Sequence, residues 1–302
     1  MTLNLPTDGF GVYESVITLS NSATYQPRLD QIAAGGFKLV LNYSLISGHA
    51  TDMIAYINYA ATKGLKVIVP LDDPAIWRDG TYSTSYPQMY ADASNPGTGI
   101  AFMQYVVAQS KSLAGTWGWY VCDEVFNTDH ATFKTYCDAV ATADNTHPRL
   151  AVESATNGNY TFYLNNSTQY DCAEVIADDY YPLNYTAANN AGLTEAFTGS
   201  IASGIQTTAT ARSKSSGIVL QAFSFSQVAL AVCTPYPSCA TFPAYVNMAT
   251  VLNLALANMT PRLVLFWSYA YIQTSDNPTQ HWNDLVAVIA NINKPKFGLL
   301  GH

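Results

Sequence analysis

Trp117-Gly-Trp-Tyr-Val-Cys-Asp-Glu124 opens as an uncharged run and ends on two adjacent carboxylates, with Asn127-Thr-Asp-His130 close behind. Uncharged runs of this length, rich in aromatic and β-branched residues, read as strands buried on both faces. Thr128 or Asp129 can cap a following helix, whose first N–H groups need an acceptor. With those two available, Asp123 and Glu124 are surplus to capping. The stretch therefore reads as a buried strand that delivers acid groups at its C-terminal end.

Working outward, a helix is predicted before it (Gly99 to Leu113) and another after it (Thr128 to Ala143). The same alternation runs through the whole chain. Strands are predicted at Gly9–Glu14, Phe37–Asn42, Leu65–Leu71, Arg149–Glu153, Ala173–Pro182, Gly217–Phe225 and Arg262–Tyr269. Helices are predicted at Pro27–Ala34, Thr51–Lys63, Tyr160–Asn165, Leu193–Ala211, Tyr245–Asn258 and Trp282–Asn291. One long insertion, at about 75–95, follows the third strand, and loops of that length are usually functional. Eight strand–helix units in 302 residues predict an α/β fold, a (β/α)8 or TIM barrel forming one domain over 1–302. A doubly wound open sheet would carry a glycine-rich phosphate turn after an early strand, and Glu14-Ser-Val-Ile-Thr18 has none.

Composition narrows the class. Of the residues, 49% are hydrophobic and only 11% charged, and the net charge is −8 without any Lys/Arg cluster. That argues against a nucleic-acid or anionic-membrane partner, and no run is long enough to span a bilayer. A hydroxyl-, amide- and tyrosine-rich surface suits a protein handling neutral polymers. The expectation is a secreted or otherwise extracytoplasmic monomer, with its leader absent. Cys233 and Cys239 are spaced to close a small disulfide loop after strand seven, leaving Cys122, Cys137 and Cys172 for a second bridge and one buried thiol. No cofactor is implied, and the five histidines fall in predicted caps and loops, so no metal site is expected.

Barrel chemistry sits at the C-terminal ends of the strands. Those ends offer Glu14, Asn42 and Tyr43, Asp72 and Asp73, Asp123 and Glu124, Glu153, Asp178 and Asp179 with Tyr180, Gln221, and Trp267 with Tyr269. Eight of the 21 acids in the chain lie there, a marked concentration. A hard-cation site would need several carboxylates converging on one point, and Mg²⁺ enzymes usually act on phosphates, whereas the loops after strands seven and eight lack the glycines and basic residues of a phosphate cradle. Glycosidic bonds instead need a protonated carboxyl and a second carboxylate. Sugars also need aromatic faces, which Trp77, Tyr82, Tyr180, Tyr181, Trp267 and Tyr269 could supply, and polar partners such as Asn42, Asn157 and Gln221.

On Trp-Tyr-Val-Cys-Asp123-Glu124 and Trp267, the chain resembles the (β/α)8-barrel glycoside hydrolases. In their large retaining group, a Glu ending strand four is the acid/base, usually preceded by Asn, and a Glu ending strand seven is the nucleophile. Here Asp123 replaces the Asn, and strand seven ends on Gln221. The Asp–Glu pair is also similar to that of the β-N-acetylhexosaminidase group, in which the Glu is the general acid and the Asp orients the substrate's acetamido group.

The sequence thus points to a glycosidase cleaving a poly- or oligosaccharide. Glu124 is the expected general acid, its pKa raised by apolar neighbours and nearby acids. Asp179 or Asp178 is its expected partner, with Asp123 next; alternation forbids both neighbours of either pair from facing inward unless a bulge intervenes. Glu14, Asn42, Asp72, Trp77, Tyr180, Gln221, Trp267 and Tyr269 are the expected substrate contacts. Two alternatives remain: a non-catalytic carbohydrate-binding barrel, favoured by the missing acid on strand seven, and a metal-dependent hydrolase, which EDTA would inactivate.

Overall fold

A computed structural model describes residues 3–16, 18–124, 129–154, 171–182, 197–228 and 241–292. Its strands are β1 (Gly9–Glu14), β2 (Leu39–Asn42), β3 (Lys66–Pro70), β4 (Thr116–Asp123), β5 (Arg149–Ser154), β6 (Val175–Tyr180), β7 (Ser215–Gln221) and β8 (Leu263–Trp267). All pair in parallel in chain order, and β8 closes on β1. The expected α/β barrel is the observed fold.

Each strand divides its side chains between two cores, because successive residues point to opposite faces. Leu39, Leu41, Ile68, Val152, Val219 and Leu265 fill the barrel interior. Val40, Val67, Val69, Ile218, Val264 and Phe266 face outward, against the helices. The interior is tight enough to dictate composition: a Cβ on Gly11 would lie 2.6 Å from both Leu39 Cβ and Leu265 Cδ2. Only glycine fits.

The helices are α1 (Ser22–Ala34), α2 (Ala50–Thr62), α3 (Pro74–Trp77), α4 (Tyr82–Ser85), α5 (Pro87–Asp92), α6 (Gly99–Ser110) and α7 (His130–Ala143). There follow α8 (Thr198–Ala211), α9 (Phe225–Val228), α10 (Tyr245–Asn258), α11 (Tyr269–Gln273) and α12 (Pro278–Asn291). In α2, buried Met53, Tyr56, Ile57 and Ala60 form the one-sided stripe that helical periodicity anticipates.

Several boundaries differ from the sequence reading. Helix α1 begins five residues before Pro27, because Asn21 caps it by accepting from Ala23 N–H at 3.1 Å. The insertion at 75–95 holds α3 to α5 and is no open loop. Its Tyr82 and Tyr86 rings stack on Phe102 of α6, at 5.5 and 5.9 Å between centroids. Strand β8 stops at Trp267, since Ser268 caps α11 and makes Tyr269 helical. Asp129 precedes α7 as expected, but its carboxylate accepts from Arg78 at 3.3 Å and makes no cap bond. Cys137 and Cys172 form a disulfide with Cα atoms 5.9 Å apart, while Cys122 is buried as a thiol. The Cys233–Cys239 loop, Thr128, Asn157 and the expected helix Tyr160–Asn165 lie outside the described residues.

Candidate active site

Strand β4 breaks the alternation rule twice. Tyr120 pairs with Leu150 of β5, but Cys122 pairs with the next residue, Ala151, so Val121 is an extra residue. Tyr120 faces the interior, whereas Val121 and Cys122 both sit in the outer core. This bulge resets the register and brings Asp123 inward, where its Oδ2 accepts from the Tyr43 hydroxyl at 2.9 Å.

Glu124 supplies the second break. Its N–H continues the ladder, donating to Val152 O at 3.0 Å, yet its φ is 49°. A left-handed glutamate costs about 1–2 kcal/mol. The turn lets its exposed side chain hydrogen-bond to Asp179, two strands away on β6. Asp179 shares the interior face of β6 with Val175 and Ala177. Asp123, Glu124 and Asp179 therefore meet at one mouth.

Electrostatics follow from that crowding. Burial, then the Glu124 charge, the hydrogen bond to Glu124 and the Asp123 charge push Asp179 well above the ordinary carboxylate range. A bond between two carboxyls exists only while one carries a proton, and burial among like charges favours the proton on Asp179. Burial pushes Asp123 up to about 6, against hydrogen bonds from Tyr43 and Tyr120 that pull it down. Asp72, just past β3, is held well above its usual range by burial and then by the Asp123 charge.

An aromatic wall adjoins these acids. Trp267, at the end of β8, stacks on Tyr181 with centroids 5.5 Å apart and meets Phe223 and Tyr271 edge-on at 4.9 and 5.3 Å. Gln221 lies beside Trp267 in register, its Nε2 donating to Phe223 O at 3.0 Å.

Other expected site residues face elsewhere. Asp178 shares its face of β6 with Ile176 and Tyr180, in the layer between strands and helices. Tyr180 is wholly buried there, and Tyr181 takes the place at the mouth expected of it. Glu14 points outward and binds Arg28 of α1, with Nε 2.9 Å from Oε2. Asn42 ties down the β1 loop, accepting from Val16 N–H at 3.2 Å and Ser44 N–H at 3.0 Å. Trp77 is buried with Nε1 donating to Asp72 O at 2.7 Å. Tyr269 is buried against Trp282, its hydroxyl donating to Gln31. All six face away from the mouth that the sequence reading gave them. For Glu14, Asn42, Asp178 and Tyr180 the reason is strand parity, which chemical type does not reveal; Trp77 and Tyr269 instead lie on helices α3 and α11.

Sequence reasoning missed Tyr13 and Tyr120. Their hydroxyls lie 3.3 Å apart inside the barrel, below Asp123. Counting by twos from Gly11 would have turned Tyr13 inward and Glu14 outward.

No protein-family model matches this chain, and no curated protein matches it in sequence. In fold it is similar to solved glycoside hydrolases. A Bacteroides thetaiotaomicron protein provisionally described as an α-L-fucosidase superposes with a TM-score of 0.60 at 10% identity, covering 96% of this chain and 94% of that one. Xylanase 10C from Cellvibrio japonicus, solved with xylopentaose, gives 0.59 at 10% identity over 88% of this chain. A Ruminococcus gnavus β-glucuronidase gives 0.54 at 10% over the same share. The chain spans 59% of the xylanase and 43% of the glucuronidase, under two thirds of each. At such identities the likeness is one of fold.

Proposed function

We propose that this protein is a glycoside hydrolase acting on a poly- or oligosaccharide. The observation that carries the reading is the hydrogen bond between Glu124 and Asp179 at the strand ends, beside the Tyr181–Trp267 wall. Glycosidic cleavage needs a proton held at neutral pH and a nearby carboxylate for the charge that develops at the sugar. Asp179 holds the proton. Glu124, the exposed member of the pair, delivers it to the leaving oxygen. Asp123 is the second carboxylate, ionised above about pH 6, and Asp72, which feels the Asp123 charge, is assigned to a sugar hydroxyl. Trp267 and Tyr181 supply apolar ring surface to the sugar face. The Cys137–Cys172 bridge supports work in an oxidising, extracytoplasmic compartment. No described helix is long and apolar enough to cross a membrane.

The test is product release from plant, fungal and bacterial polysaccharides by the parent, Glu124→Gln and Asp179→Asn. Loss of an acid–base group should cost ~10²–10⁴-fold in rate with sugar binding retained. Variants as fast as the parent would refute the assignment. The second reading, a carbohydrate-binding barrel, draws on Gln221, an amide tied to backbone where retaining relatives carry an acid. Saturable binding without turnover in the parent would decide for it.

A further inference from the structure

Three tyrosines stand beneath the acids. Tyr13, Tyr43 and Tyr120 pack ring against ring, with centroids 5.3, 6.0 and 6.2 Å apart. Phenylalanine would fill this space equally well. A buried hydroxyl costs free energy unless it is hydrogen-bonded, so the oxygens need a reason of their own. They share one destination: Tyr43 donates to Asp123 Oδ2, Tyr13 donates to Tyr120, and the Tyr120 hydroxyl stands near enough to the Asp123 carboxyl to favour its anion.

Resting on the hydrolase reading above, we infer that Tyr43 and Tyr120 are positioning residues that hold Asp123 as an oriented carboxylate, with Tyr13 steering the Tyr120 hydroxyl. The surroundings leave this task to them. Beside Asp123 on its own strand stands Glu124, whose charge opposes ionisation. Asp72 after β3 and Asp179 on β6 are acids that feel the Asp123 charge. The phenols of Tyr13 and, after β6, Tyr181 are raised by burial first and by the Asp123 charge as well. Among the described residues, the groups that favour the Asp123 anion are the two hydroxyls.

Tyr43→Phe and Tyr120→Phe remove one oxygen each and keep the rings. If Asp123 works ionised, activity falls as pH drops through its pKa. Losing a hydrogen bond to the anion should move that acid limb up by about one pH unit per hydroxyl. The maximal rate should fall at the limb while KM changes little, and Tyr13→Phe should give a smaller shift of the same sign. A parallel measurement needs no substrate: the ¹³C carboxyl titration of Asp123, assigned by its absence in Asp123→Asn. An upward midpoint shift in either tyrosine variant supports the inference, and two unmoved midpoints overturn it. If Glu124→Gln and Asp179→Asn abolish turnover but the tyrosine variants keep the parent pH profile and midpoint, this inference alone fails. If the parent turns over no glycan, the hydrolase reading fails, and the midpoint still decides whether the hydroxyls hold the anion.

Discussion

Replacing Asp123 with asparagine should make the protein more stable at pH 8 and leave it unchanged near pH 3.5. The folded structure pushes this carboxyl from an ordinary 3.8 up to about 6. At ~1.36 kcal/mol per pH unit, a rise of about 2 units means that ionised Asp123 costs the folded state about 3 kcal/mol. The sign follows from proton binding. Between about pH 4 and pH 6 the folded state holds a proton that the unfolded chain has released, so stability falls as pH rises through this window. Above it the loss is complete, and below it there is none. Asparagine never ionises, and its carbonyl can still accept from Tyr43. Removing the charge also relieves Asp72 and Asp179, which adds to the gain. With ~2.1 cal/mol/K of unfolding entropy per residue over 302 residues, 3 kcal/mol is a Tm increase of about 5 °C. Urea denaturation and thermal melts at the two pH values measure the difference directly. A variant that is no more stable at pH 8, or whose change is the same at both pH values, would refute the burial argument.

Two further expectations concern the scaffold. Arg28→Ala leaves Glu14 buried without its counter-charge, which should cost about 3 kcal/mol at neutral pH; burial raises the Glu14 pKa, so the loss in urea unfolding should shrink as acid protonates it. Reducing Cys137–Cys172, separated by 35 residues, should cost about 3–4 kcal/mol through restored chain entropy, read as a lower Tm with dithiothreitol; an unchanged Tm would show that the bridge constrains nothing.

Much of the architecture was legible in one dimension. Repeated apolar runs, helical stripes such as Met53–Ile57–Ala60, and the missing glycine-rich turn allowed one closed parallel barrel, because burying both faces of eight such strands leaves few other solutions. The same logic placed candidate chemistry at the strand ends and singled out Glu124, with Asp178, Asp179 or Asp123 as its partner. What sequence could not supply was direction. Asp178 and Asp179 are chemically alike, and only strand parity sends one outward and the other to the mouth. Glu14 and Asn42 end their strands as Asp123 does, but on the outward parity, where Arg28 and the β1 loop claim them. Asp123 and Glu124 reach the mouth together through a one-residue bulge at Val121 and a left-handed turn at Glu124. Both are set by how β4 fits between its neighbours, and neither leaves a local signature in residue type. Patterning fixes which surfaces must be buried, whereas register around a closed ring decides which carboxylates meet.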